Sequence, residues 1–143
     1  MSSNLVPELI CSDLARSRVF YCDVLGFTVR YARPQGRFLY LERKGVELML
    51  EQPINRDRLF PKAELVYPYG RGVNFEIGVS DVDAIYACVQ TANLKLFLAL
   101  EERRYDRESD AISVGQFAVQ DPDGYVLRFS QNLETNLLST VLE

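Results

Sequence analysis

The sequence predicts an α+β domain of two β-α-β-β-β modules, set as a half-open barrel around a central cleft. Three observations carry this. A strand ending in Ser-Asp and running into a helical apolar period occurs twice, at Cys11-Ser12-Asp13-Leu14 and at Val79-Ser80-Asp81-Val82. Each occurrence is followed by three stretches that read as strands. Asp121-Pro122-Asp123-Gly124 then marks a hairpin turn, because Pro122 presets its φ, the Asp side chains bond nearby N–H groups and Gly124 tolerates a positive φ. Each module covers one face of its sheet with its helix and leaves the other bare, so two modules can juxtapose their bare faces.

Taken in order, residues 5–11 alternate loosely as a strand and stop at Ser12-Asp13, a helix cap. From Leu14, Val19, Phe20, Val24 and Leu25 recur at helical spacing, with Phe20 and Tyr21 read as core, and Gly26 stands where a helix C-terminus favours it. Phe27 to Tyr31, Phe38 to Glu42 and Val46 to Glu51 read as strands separated by Pro34-Gln35-Gly36 and Lys44-Gly45. The first module spans about 5–52. Residues 53–71, with their prolines, glycines and scattered charges, read as a long connection. The second module spans about 72–131. Val73 to Val79 is a strand, Ser80-Asp81 caps a helix to about Ala92, and Leu94 to Leu100 is strand-like. Glu101 to Asp110 reads as a charged loop, and Ala111 to Gln120 with Tyr125 to Gln131 forms the final hairpin. In the tail, 132–143, residues 133–142 suit a short amphipathic helix.

Composition narrows the function classes. With 143 residues, 48% hydrophobic and 25% charged, the chain has enough material for one well-cored domain. No apolar run reaches membrane-spanning length and the amino end lacks signal-peptide character, so a cytoplasmic, non-membrane protein is expected. The net charge of −4 argues against a nucleic-acid partner. Histidine is absent, which excludes Ser-His-Asp and Cys-His catalysis and imidazole-based metal sites. Cys11, Cys22 and Cys88 lack CxxC spacing and read as small buried apolar residues.

Strand alternation assigns the cleft. Leu39, Leu41, Val46, Leu48 and Leu50 belong against the first helix, which sends Phe38, Tyr40, Glu42, Glu47, Met49 and Glu51 to the other face. Likewise Phe75, Ile77 and Val79 go inward and Asn74, Glu76 and Gly78 outward, while Leu9 and Cys11 oppose Glu8. Arg128 and Ser130 share the outward parity of the last strand. Any one of these glutamates reads first as the solvated face of a half-buried strand. Five of them interleaved with Phe38, Tyr40 and Met49 suit a flat, cationic ligand held by carboxylates and ring faces. Phe117 is a further stacking candidate, and Tyr105 with Arg107 could form a lid over the cleft, although a solvated loop is the first reading of that segment. Arg128 is expected to pair with Glu47.

Phe20-Tyr21-Cys22-Asp23-Val24-Leu25-Gly26-Phe27, preceded by Asp13-Leu14, together with Asp121-Pro122-Asp123-Gly124 and the paired modules, resembles the vicinal oxygen chelate superfamily of glyoxalases, bleomycin-resistance proteins and dioxygenases. The resemblance covers residues 5 to about 131. It implies that catalytic members would hold a divalent metal at the positions of Val6, Glu47, Asn74 and Arg128. Only Glu47 is a good ligand type, and Arg128 adds a fixed positive charge, so neither a metal nor another cofactor is expected. The closest likeness in character is to the bleomycin-resistance type, through Pro7, the Glu47-Leu48-Met49-Leu50 strand and the acidic cleft. That likeness implies a homodimer that sequesters a small cationic or aromatic molecule without reaction, using Phe38, Tyr40, Glu47, Met49, Glu51, Asn74, Glu76, Tyr105, Phe117 and Arg128. The alternatives are a metal-independent enzyme with Glu47 or Glu76 as general base, and a dimer with no ligand.

Overall fold

In the computed structural model, which describes residues 3–133, the apolar parity expected to face the helices is buried at Leu9, Leu39, Leu41, Leu48, Leu50, Ile77, Leu127 and Phe129 and half-buried at Val46, Phe75 and Val79. The helix expected over 133–142 lies, apart from Leu133, outside the described residues. The chain divides into two compact units, residues 3–71 with Asp121–Gly124, and residues 72–120 with 125–133. Each holds one β-α-β-β-β module.

In the first unit, β1 (Glu8–Ile10), β2 (Thr28–Arg33), β3 (Phe38–Arg43) and β4 (Val46–Glu51) form a sheet in the order β1-β4-β3-β2. β1 runs parallel to β4 and the other pairs are antiparallel. Leu9, Leu39, Leu41, Leu48 and Leu50 are buried together with Phe20, Leu25 and Phe27. Each such side chain contributes about 1.5–3 kcal/mol. The helix above them starts at Asp13, whose side chain accepts from the Arg16 N–H at 3.2 Å. It is regular only as α1 (Leu14–Arg18) and widens into a π-turn over Val19–Val24, where the expected single helix gives way. The Leu25 N–H reaches back to the Phe20 carbonyl at 3.2 Å. The adjacent Phe20 and Tyr21 are both buried, Tyr21 with its ring edge-on to Phe20 and Phe27. Gly26, at φ +83°, ends the element.

In the second unit, β5 (Asn74–Gly78), β6 (Leu96–Asp106), β7 (Ala111–Gln120) and β8 (Val126–Asn132) form a sheet in the order β5-β8-β7-β6. Asp81 caps α2 (Val82–Thr91) by accepting from the Ala84 N–H at 3.1 Å. Val82, Ile85 and Val89 of α2 are buried along with Ile77, Phe117, Val119, Leu127 and Phe129 of the sheet. The charged loop expected over 101–110 is instead mostly strand, since β6 pairs with β7 as far as Asp106↔Ala111. Ladder hydrogen bonds satisfy the backbone whatever the side chains, and an edge strand keeps those charges in water. Cys11 is buried as expected, whereas Cys88 is exposed on the outer side of α2. No described helix is long and apolar enough to cross a membrane.

The Asp121–Gly124 turn does more than reverse the chain. The Gly124 N–H bonds the Asp121 carbonyl at 2.9 Å and the Asp123 N–H bonds Asp121 Oδ1 at 2.9 Å. Both carboxylates are buried in the first unit. The Tyr21 hydroxyl donates to Asp121 Oδ2 at 2.7 Å, and Ser12 donates its N–H (3.0 Å) and hydroxyl (2.5 Å) to Asp123. The Tyr69 N–H closes on the Asp123 carbonyl at 2.8 Å. At Gly124, φ is +100° and a Cβ would fall 2.5 Å from Pro68 Cα. Gly124→Ala is therefore expected to cost about 2–4 kcal/mol. Tyr21→Phe, which takes one donor from a buried carboxylate, should cost about 1–3 kcal/mol. Urea denaturation checks both, and wild-type midpoints for the pair would refute the anchoring role of the turn.

Candidate functional site

The face of the first sheet turned away from α1 carries the outward parity of its four strands. In register, Glu8 stands beside Met49, Met49 beside Tyr40, Phe38 beside Glu51, and Tyr31 beside Tyr40. Phe38 and Tyr40 share this face as expected, yet they are only 2% and 5% exposed. β2 covers them. The Tyr31 ring stacks on Tyr40 at 5.0 Å and on Phe38 at 6.1 Å between centroids. The Arg33 guanidinium lies 3.9 Å from the Phe38 ring centre and that of Arg30 5.6 Å from the Tyr40 ring centre. The open aromatic surface is therefore Tyr31, half exposed, rather than Phe38 or Tyr40. Tyr31 and both arginines were invisible to a period-two reading because the register shifts between Val29 and Tyr31, so Arg30 and Tyr31, though adjacent, both meet Tyr40. The Tyr40 hydroxyl is buried with no hydrogen-bond partner among the described residues.

The carboxylates of this face are not free. Glu47 is buried, its Oε1 bonded by Arg30 and its Oε2 by the Ser3 N–H at 2.5 Å. Arg30 thus takes the part expected of Arg128. Glu8 and Glu51 approach closely enough to share a hydrogen bond. That bond to Glu51, followed by desolvation and the Glu51 charge, pushes Glu8 up to about 7 against the opposing pull of Arg33.

On the second sheet, Glu76 stands beside Arg128 in the parallel β5/β8 ladder. Arg128 donates to Glu76 at 3.3 Å and to Gln116 Oε1 at 2.9 Å, and Ser130 donates to Glu76 at 2.8 Å. Gln116, buried and overlooked in the sequence, passes its amide hydrogens to Glu101 (3.0 Å) and the Tyr105 hydroxyl (2.7 Å). Its signal was a lone polar residue on a strand otherwise apolar in both parities, Val114 to Val119. Tyr105 is accordingly part of β6 and of this network, not a lid. Phe117, expected as a stacking surface, is closed to a ligand. It is fully buried, stacked on Phe129 at 5.3 Å and edge-on to Tyr86 at 5.1 Å, because its parity matches Val119 and Phe129 under α2. On the Arg128 side of the sheet lies a cavity of about 400 Å³. Val73, Phe97, Leu98 and Val126 give it apolar walls, and Asn74 and Arg128 give it polar ones.

The four positions at which a divalent metal is implied do not fit one. Val6 offers only hydrocarbon, both oxygens of Glu47 are engaged by donors, and Arg128 brings a guanidinium already bonded to Glu76 and Gln116. Asn74 alone leaves one neutral oxygen, too little for a hard cation that draws on several oxygen ligands with carboxylate among them. Nucleophilic cysteine chemistry is no better served. Burial, and then the Asp123 charge, push the Cys11 thiol up to about 12, and burial also pushes Cys22 up.

Comparison with known proteins agrees with this architecture. No curated protein matches the sequence. A glyoxalase/bleomycin resistance protein/dioxygenase superfamily member from Vibrio splendidus 12B01 is 41% identical over 90% of this chain and 97% of its own, with a TM-score of 0.41. A glyoxalase/bleomycin resistance protein/dioxygenase from Alicyclobacillus acidocaldarius is 21% identical, with a TM-score of 0.63 over 94% of this chain and 96% of its own. TioX from Micromonospora sp. ML1 is 21% identical, with a TM-score of 0.63 over 90% of this chain and 95% of its own. The family described as Glyoxalase/Bleomycin resistance protein/Dioxygenase superfamily matches residues 5–129, nearly the whole chain, and the protein belongs to that superfamily.

Proposed function

We propose that the protein binds and sequesters a small, flat, partly aromatic molecule without transforming it, in the manner of the bleomycin-resistance members, as a cytoplasmic homodimer. The observation that carries this reading is the cavity of about 400 Å³ on the second sheet, apolar through Phe97, Leu98, Val73 and Val126 and polar through Asn74 and Arg128. Its size lies within the range of small-molecule sites, about 300–1,000 Å³, and its mixture of apolar wall and few polar groups is what such sites use. The half-exposed Tyr31 ring offers a second aromatic surface on the first sheet. Leu5, Val73 and Phe97 remain exposed, as apolar groups that a second copy covers would be.

The pairing of charges revises the ligand class. Glu47 is matched by Arg30 and Glu76 by Arg128, while Glu8, hydrogen-bonded to Glu51, holds its proton to near neutrality. Such a surface selects for ring area more than for positive charge. A panel of neutral and cationic planar compounds should therefore raise the apparent melting temperature with concentration, by the equivalent of about 2.7 kcal/mol at one hundred times Kd. Phe97→Ala, at an exposed position, should abolish the shift while preserving the fold. No shift across the panel, or an unchanged shift in the variant, would sink the reading.

A second reading rests on Glu8. A carboxyl that titrates near pH 7 suits general acid-base work, so a metal-independent enzyme would use Glu8 rather than Glu47 or Glu76. The folded state holds this proton more tightly than the unfolded chain, whose value is 4.5. The pair's contribution to stability is then complete below pH 4.5 and lost as pH rises through about 7. Melting temperatures across this range should fall in wild type relative to Glu8→Gln. Turnover of α-keto, hemithioacetal or catechol substrates that disappears in Glu8→Gln would favour the enzyme over the binder.

A further inference from the structure

A second cavity, of about 330 Å³, belongs to the first unit and involves none of the residues proposed to bind the aromatic ligand. It lies where the ends of β1 and β4 meet the 53–71 connection. Three cations line it: Arg37 from the turn before β3, and Arg56 and Lys62 from the connection. Among the described residues no Asp or Glu lines it, and no salt bridge occupies any of the three cations. Ser12, Gln52 and Tyr69 add polar groups.

We propose that this cavity binds a small organic oxyanion, a carboxylate or a phosphate monoester. Three positive side chains converging on one hollow repel each other unless a negative group joins them. Arg56 shows the missing partner most directly. One terminal nitrogen donates to the Phe60 carbonyl at 3.1 Å, while its Nε is buried and has no hydrogen-bond partner among the described residues. A buried donor without an acceptor is costly, and an oxyanion supplies two acceptors in the geometry a guanidinium fork prefers. Gln52 is braced for the same task. Its N–H bonds the Arg37 carbonyl at 2.9 Å and its Oε1 accepts from the Leu14 N–H at 3.0 Å, which leaves its amide NH2 as a further donor. Arg37 holds a left-handed backbone (φ 47°, ψ 59°) immediately after Gly36, a conformation uncommon for a side chain of its size. Asp123 is held by Ser12, a residue of the cavity wall, whose N–H and O–H both bond it. It therefore neutralises part of the field without filling the hollow. At about 330 Å³ the space suits a compact metabolite and is too small for a peptide.

Isothermal titration of the full chain at low salt, with inorganic phosphate and separately with succinate, tests this. Saturable binding is expected for at least one probe, and the preferred probe separates the phosphate source from the carboxylate source. Arg56→Gln and Lys62→Gln should each weaken it by about tenfold, the loss of one charge-assisted contact. Lys62 is exposed, so its variant keeps the fold, as circular dichroism would verify, even if Arg56→Gln does not. Phe97→Ala should leave oxyanion binding unchanged. Absence of saturation with both probes, or wild-type affinity in the variants, overturns the proposal.

Discussion

Two buried carboxylates hold this protein together at a point distant in sequence from most of what they touch. Asp121 and Asp123 are almost fully shielded from water, where an ionised group is tolerated only if donors surround it. Tyr21 supplies one such donor across 100 residues of chain and Ser12 supplies two across 111. The consequence is that the turn between β7 and β8 belongs to the first compact unit although its strands belong to the second. The widened turn of the first helix, the cap region at Ser12 and the end of the 53–71 connection at Tyr69 all converge on it. Gly124 is obligatory there for the same reason, since Pro68 occupies the space a Cβ would need.

Charge is arranged quite differently on the exposed sheet faces. The chain is acidic as a whole, yet each conspicuous glutamate is answered locally: Glu47 by Arg30, Glu76 by Arg128 and Ser130, Glu8 by a proton shared with Glu51. Arg128 and Glu76 are partly exposed, so water screens much of their attraction and their value is chiefly one of orientation. Arg128 is thereby held at the rim of the apolar cavity on its sheet by Gln116 and Glu76 together. The unmatched positive charge gathers elsewhere, around Arg37, Arg56 and Lys62. The two proposed sites, one for a flat aromatic molecule and one for an oxyanion, thus share no lining residue and can be perturbed one at a time.

The paired modules, the capped helices at Asp13 and Asp81, the turn at Gly124 and the parity of Leu39, Leu41, Leu48, Leu50, Leu127 and Phe129 were all legible in the sequence. Caps, turns and alternation are properties of residues a few positions apart, and local chemistry suffices to specify them. The parity also placed Glu47, Met49, Glu76, Arg128 and Ser130 on the faces turned from the helices. What covers those faces was not legible. The irregular register of β2 brings Tyr31, Arg30 and Arg33 over Phe38 and Tyr40, and a bulge leaves no period to read. The partners of Glu47 and Arg128, the burial of Phe117 and the continuation of β6 through its charges depend on which strand lies alongside. A single sequence does not contain the neighbour that satisfies each backbone and each charge, so only the tertiary structure could decide them.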